Sequence, residues 1–256
     1  MSRAGPPHYS SKFYEQQQEG SLRSARRVLP FLLDLTDPKS IVDVGCGVGT
    51  WLAAARELGV RDVLGLDGPY VDTTMLQIPP DCFRAADLTQ PLDAGRTFDV
   101  ALCLEVAEHL PESNANTLVE SLTHLAPLVL FSAAVPRQCG EHHVNEQWQS
   151  WWVERFQQVG YIAVDCIRRR IWDDGQVEWW YAQNSLLMVR GDHLQTSPRL
   201  VQEHQRSSGP VNIVHPQGYL DRLNGIESLH PRGFREWAAA GPSLTAASLR
   251  RFLSRR

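Results

Sequence analysis

Gly45, Gly47 and Gly49 follow Asp43 at two-residue intervals and lead directly into Thr50. Glycine tolerates φ > 0 and carries no Cβ, so such a turn lets a ligand lie against bare backbone. The turn opens a helical stretch from about Thr50 to Leu58. Its first N–H groups lack intrahelical partners and face whatever the turn holds. Asp67 closes the next strand, about 20 residues beyond the glycines, where a carboxylate can accept from both hydroxyls of a ribose. Asp87, in the run Ala86-Asp87-Leu88 at the end of a third strand, is placed to meet an adenine amino group. A lone glycine turn is shared by many nucleotide-binding folds. The ordered set of glycine turn, Asp67 and Asp87 points more narrowly to an adenosine-containing ligand.

Two later segments carry groups able to move protons. The first holds Glu105, Glu108 and His109. The second holds Glu141, His142, His143, Asn145, Glu146, Gln147 and Trp148. Histidine titrates near neutrality and serves as a base for a hydroxyl acceptor. If the first segment opens a helix, Glu105 and His109 share a face and converge. Metal-free base catalysis by His109, His142 or His143 and a purely positional role both remain open at this level. Trp148, Trp151 and Trp152 have the spacing of one helical face. They read as core packing or as an aromatic wall for an acceptor, with Asn145, Glu146 and Gln147 orienting its polar groups.

These residues need elements to position them. Strands are expected at Ile41–Val44, Val63–Leu66, Phe83–Ala86, Phe98–Leu104 and Leu128–Val135. Helices are expected near Thr50–Leu58, Asn114–Leu125 and Gln147–Val159. The alternation implies an α/β fold, a Rossmann-like and mostly parallel sheet with helices on both faces. Two β-rich runs, Tyr161–Ile171 and Val177–Val189, flank Asp173-Asp174-Gly175 and are expected to form an antiparallel C-terminal hairpin. Residues 1–20 read as polar and irregular. A helix is expected to start at Ser21 and to end before Pro38. Three regions follow: an N-terminal cap and helix (1–35), a ligand-binding domain (36–190) and a C-terminal extension (191–256). Ser243–Arg256 is expected to form a short basic helix.

Composition bounds the function. Of 256 residues, 43% are hydrophobic, enough for a sizeable core. A net charge of −4 argues against a broad non-specific grip on nucleic acid. The five cysteines form no C-x-x-C pair and read as reduced thiols. No run approaches the ~20 apolar residues of a membrane helix, and the first residues lack an apolar signal core, so a cytoplasmic location is expected. Composition leaves the oligomeric state open.

Ile41–Leu110 resembles the class I S-adenosylmethionine-dependent methyltransferases. Val42 through Thr50 resembles their first motif, Leu66-Asp67 the second and Ala86-Asp87-Leu88 the third. Phe98-Asp99-Val100 through Glu105-Val106-Ala107-Glu108-His109-Leu110 resembles the fourth-strand motif. The resemblance extends over about Ser21–Arg190 and implies a seven-stranded sheet. It implies that Gly45, Gly47 and Gly49 face S-adenosylmethionine, with Asp43 supporting the loop. Asp67 would hold the ribose, Asp87 with Leu88 the adenine, and Glu105 would lie near the methionine moiety. Similar Glu-x-x-Glu-His segments bind a metal in ubiquinone-pathway and small-RNA O-methyltransferases. The resemblance therefore implies Mg²⁺ or Mn²⁺ on Glu105, Glu108, His109 and one of His142 or His143. Tyr70, after the acidic residue, departs from the usual pattern and reads as a cover for the adenine. Tyr14, Gln17 and the first helix read as elements that close over the cofactor. The expected reaction is O-methylation of a small-molecule or glycan hydroxyl. Non-methylating consumption of the cofactor and non-catalytic binding are the alternatives.

Overall fold

The computed structural model describes residues 11–227, with side chains for 19–223. The basic helix expected at Ser243–Arg256 and the side chains of Tyr14 and Gln17 lie outside these limits. Compact packing divides the chain into Met1–His215 and Pro216–Arg256. In the second unit, helix α9 spans Pro216–Glu227.

The first unit is built on one seven-stranded sheet. Its strands are β1 (Ser40–Val44), β2 (Asp62–Asp67), β3 (Phe83–Ala85), β4 (Val100–Leu104), β5 (Leu128–Ser132), β6 (Tyr161–Val164) and β7 (Leu186–Arg190). Their order across the sheet is β3-β2-β1-β4-β5-β7-β6. The first five are parallel, and β7 runs antiparallel to both β5 and β6. This is the expected Rossmann-like sheet with an antiparallel C-terminal pair.

Alternate residues of the central strands face opposite layers. Val100, Leu102 and Leu104 join one apolar core with residues of α1 (Ser11–Thr36) and α2 (Thr50–Glu57). Ala101 and Cys103 join the other with residues of α3 (Ala115–Leu125) and α4 (Gln149–Gln158). Burial on both faces is why these strands read as continuous apolar runs. Among the described residues, no helix is long and apolar enough to cross a membrane.

Two expectations about elements are corrected. Helix α1 starts at Ser11, not Ser21, and carries Pro30 inside it. Ser21 instead places its hydroxyl 3.1 Å from that of Tyr181. The antiparallel strands β6 and β7 form no tight hairpin. Between them lie α5 (Arg168–Ile171) and α6 (Trp179–Asn184). Tertiary burial overrode the β-propensity of this aromatic stretch. Tyr181 is buried edge-on against Trp51, with ring centroids 5.1 Å apart. Arg168 is 1% exposed, paired through two hydrogen bonds with Asp165 and donating to the Val211 carbonyl at 2.8 Å.

Beyond β7, α7 (Gly191–Thr196) and α8 (Pro198–Gln205) bury Leu194 and Leu200 in the first core. The Glu203 carboxylate on α8 takes hydrogen bonds from Arg169, Arg170 and Arg206.

Removing the buried Arg168 leaves the half-buried Asp165 carboxylate and the Val211 carbonyl without this donor. Arg168→Ala is therefore expected to cost about 3 kcal/mol in urea-induced unfolding. A loss below about 1 kcal/mol would show that Asp165 and the Val211 carbonyl find other partners.

Candidate active site

The described candidate residues of the cofactor and histidine segments lie at or just beyond the carboxyl ends of β1 to β5, where open α/β sheets bind ligands. Gly45, Gly47 and Gly49 adopt φ of 81°, 53° and 83°. Their roles differ. A Cβ on Gly45 would sit 2.3 Å from Val106, and one on Gly49 2.8 Å from Ile78. Both glycines are required by close packing. A Cβ on Gly47 would meet nothing within 4 Å, so this glycine faces open space. Gly49 caps α2, whose first N–H groups therefore begin beside that space. The geometry is a cradle with bare backbone as its floor, which fits the expected cofactor.

The Asp67 carboxylate ties the cradle together. One oxygen accepts from the Gly47 N–H at 2.6 Å, and the other from the Gly68 N–H at 2.6 Å. The Tyr70 hydroxyl donates to the latter oxygen at 2.7 Å. Tyr70 is 63% exposed, and its ring lies so close over Gly68 that a Cβ there would be 2.0 Å away. Asp43, buried at the end of β1, is pushed up to about 8 by desolvation and by the nearby Asp67 charge. Asp87 lies beyond β3, exposed, with its carboxylate accepting from the Thr89 backbone N–H and hydroxyl. Those bonds hold its pKa below the usual value. Leu88 is buried in the second core.

The second group of residues is assembled by the backbone. Residues 105–109 do not form the first turn of a helix. Glu105 ends β4 with φ of 56°, and Ala107–His109 make an isolated 3₁₀ turn. The Glu108 carbonyl accepts from the N–H groups of Val144, at 2.8 Å, and Asn145, at 3.0 Å. These two bonds draw the loop after β5 onto the turn after β4. His143 thereby meets His109, with ring centroids 4.9 Å apart and planes at 82°. Ligand atoms of Glu108, His109 and His143 lie within 4.8 Å of one another.

Glu105 is not part of this trio. Its carboxylate accepts from Asn184, at 3.1 Å, and Gln138, at 3.1 Å. Burial raises its pKa, while these donors pull the other way. His142 is exposed, with φ of 60°, and also stays outside the trio. Glu108 is fully buried, and neither of its carboxyl oxygens makes a well-formed hydrogen bond, although its own N–H and that of Ala134 lie near enough to favour the charged form weakly. Desolvation, and then the Glu105 charge, drive its pKa well above the usual range. Desolvation and the His143 charge lower His109 to about 4. A buried carboxyl group so poorly supplied with donors, beside one exposed and one half-buried imidazole, fits a divalent cation in mixed oxygen and nitrogen ligation.

The tryptophans form no wall. Trp152 is buried against Phe131, Trp151 carries the Arg155 guanidinium over its ring, and Trp148 is 42% exposed. Asn145 is buried, and its side-chain oxygen accepts from Gln147 at 3.1 Å. Glu146 accepts from the Arg137 and Cys139 N–H groups within its own loop. Sequence reasoning missed Gln138 and Asn184, because amides reveal no chemistry until a buried carboxylate lies beside them.

A family model described as a methyltransferase domain matches residues 14–184. The chain is 32% identical over 100 residues to the ubiquinone biosynthesis O-methyltransferase of Methylobacterium nodulans, covering 36% of this chain and 37% of that protein. It is 28% identical over 114 residues to the protein of that name from Neisseria meningitidis serogroup C, covering 38% of this chain and 47% of that one. The matched region thus spans less than half the length of these curated relatives. Among solved structures, a sugar N-methyltransferase from Streptoalloteichus sp ATCC 53650 aligns with a TM-score of 0.55 at 14% identity, over 74% of this chain and 98% of that chain. DesVI of Streptomyces venezuelae aligns with a TM-score of 0.53 at 14% identity, over 70% of this chain and 95% of that chain. At these identities the two structures share the fold.

Two measurements test the cradle. Gly47→Ala has room for its methyl group and costs only left-handed strain, about 1 kcal/mol. It is expected to weaken cofactor binding in calorimetry at least tenfold, and unchanged affinity would place the cofactor elsewhere. A carboxyl held at about 8 in the fold, against an ordinary 3.8, keeps a proton that the unfolded chain has lost. It therefore lowers stability progressively as pH climbs from about 4 through about 8. Asp43→Asn should raise the melting temperature of the ligand-free protein more at about pH 8 than at about pH 5. Equal shifts at both values would mean that Asp43 is ionised in the fold.

Proposed function

We propose, from the premise that this chain belongs to the methyltransferase-domain family, that it methylates a hydroxyl group of a small-molecule acceptor. It is an S-adenosylmethionine-dependent methyltransferase. The single observation that carries the finer reading is the trio of a buried Glu108, an exposed His109 and a half-buried His143, whose ligand atoms lie within 4.8 Å of one another. An amine acceptor can attack as its neutral form without a dedicated base. A hydroxyl must lose its proton as it attacks, and a site with two imidazoles beside a carboxylate supplies what that step needs. The curated relatives named as O-methyltransferases support the same choice.

The bound cofactor supplies an activated methyl group on a sulfonium, with a neutral thioether as leaving group. The chain's work is binding, alignment and proton removal. In this reading Gly45, Gly47 and Gly49 present backbone to the cofactor. Asp67, with its carboxylate already anchored on Gly47 and Gly68, receives the ribose. Tyr70 then exchanges its bond to Asp67 for contact with the adenosine. Asp43 offers charge to the cationic amino-acid end, and Asp87 with Leu88 bounds the adenine side. Glu105, held by Asn184 and Gln138, shapes the methionine end.

At the reacting end, a basic imidazole nitrogen of His143 accepts the acceptor's O–H proton while that oxygen bonds to the methyl carbon. Low basicity suits His109 to staying neutral and orienting the acceptor, or to ligating a metal. Glu108, His109 and His143 are the residues that would hold Mg²⁺ or Mn²⁺, which would supply Lewis-acid polarisation of the hydroxyl.

His143→Ala is expected to lower turnover about 100-fold, in the range of general-base loss, and to leave S-adenosylmethionine affinity within about threefold. Full activity in this variant would remove the base. Incubation with methyl-labelled cofactor and a cell extract, followed by mass spectrometry, should yield a labelled methyl ether. A labelled methylamine would overturn the oxygen assignment. EDTA treatment with Mg²⁺ or Mn²⁺ add-back should abolish and restore turnover, and indifference to both treatments would exclude the metal.

A further inference from the structure

We propose that Glu146 is a positioning residue that fixes the tautomer of His143, taking the Nδ1 proton in a hydrogen bond and leaving Nε2 as the basic nitrogen. The inference rests on the reading that places His143 at the reacting end.

Two backbone N–H groups and one imidazole nitrogen converge on the Glu146 carboxylate. One oxygen lies 2.8 Å from the Cys139 N–H and 3.0 Å from His143 Nδ1. The other accepts from the Arg137 N–H at 2.7 Å. An ionised carboxylate only accepts, so the ring nitrogen facing it must carry hydrogen. A neutral imidazole bears one proton, and Nε2 is then left with the lone pair. Without such a partner, imidazole favours the opposite tautomer, with hydrogen on Nε2.

The surrounding backbone shows how much depends on this carboxylate. Arg137, Cys139 and His142 all hold left-handed φ, at 68°, 62° and 60°. Non-glycine residues in that region cost roughly 1 kcal/mol or more each and persist only where the surroundings over-determine them. Glu146 bonds to two of the three residues and to the neighbour of the third. The His143 ring also lies hard against Gly140, where a Cβ would sit 2.2 Å from Nε2. Ring orientation and proton position are therefore both set within one short loop. The backbone bonds of Val144 and Asn145 to Glu108 then deliver that loop to His109. Carboxylate partners of this kind hold functional imidazoles in place, and their loss typically weakens a metal site 10- to 100-fold.

Nitrogen-15 NMR of histidine-labelled, EDTA-treated protein reads the tautomer without reference to turnover. The His143 signals are assigned by comparison with His143→Asn, in spectra recorded at about pH 8, above the ordinary imidazole range. The wild-type ring should show hydrogen on Nδ1 and a bare Nε2. Glu146→Ala should shift it toward the Nε2–H form and lower Mn²⁺ affinity about tenfold or more. A wild-type ring protonated on Nε2 overturns the inference, as does a Glu146→Ala protein that keeps both the wild-type tautomer and wild-type Mn²⁺ affinity. If the variant fails to fold, the wild-type spectrum alone decides. A wild-type Nδ1–H ring, together with full turnover in His143→Ala, upholds the positioning role while removing the functional reading on which it builds.

Discussion

A carboxylate sealed from water with no donor on either oxygen is among the costliest groups a protein can bury. Glu108 comes nearest to that group here, with no well-formed hydrogen bond on either oxygen and only its own and the Ala134 backbone N–H close by. Its side chain raises the demand, and its backbone organises the response. The same residue's carbonyl anchors Val144 and Asn145, so the loop that carries His143 is hung from the turn that carries Glu108 and His109. Were the carboxyl merely a core residue, an apolar side chain of similar volume would serve better. Its retention at the meeting of two histidine segments makes sense where a cation or an acceptor's polar group completes the site.

The cradle follows a parallel logic. Asp43 and Asp67 are buried close together, and desolvation, reinforced by their repulsion, leaves Asp43 reluctant to ionise. A ligand bearing positive charge relieves that repulsion, whereas an anionic one adds to it. A sulfonium compound with an ammonium group has the charge such a pocket favours. The two halves of the site thus prefer cationic groups for the same reason, carboxylates desolvated ahead of their partners.

Neighbouring elements hold these carboxylates in register. Asn184, at the end of α6, and Gln138, on the loop after β5, grip Glu105 from two directions. Gln183 adds a bond to Gln138 at 2.9 Å, joining the residues before β7 to the same network. The helical stretch between β6 and β7 is what brings Asn184 to Glu105. A tight hairpin would leave no α6 to end at Glu105. Arg168, buried beneath it, secures the segment through Asp165 and the Val211 carbonyl.

The amino-acid sequence determined the parallel α/β layering, because alternating apolar strands and amphipathic helices leave few other ways to bury both faces. It also determined the glycine turn and its aspartates, since φ > 0 and strand-end carboxylates are local properties that residue type announces. Tertiary structure alone decided which acids share a pocket. Spacing placed Glu105 with His109, but a 3₁₀ turn took the place of the expected helix, and two amides claimed Glu105. Only folding could show that the Glu108 carboxyl lacks a well-formed hydrogen bond, that His142 turns outward while His143 turns in, and that Glu146 serves its own loop. The capture of Glu105 and the docking of the His143 loop onto Glu108 depend on hydrogen bonds between residues more than thirty positions apart, which no local pattern encodes.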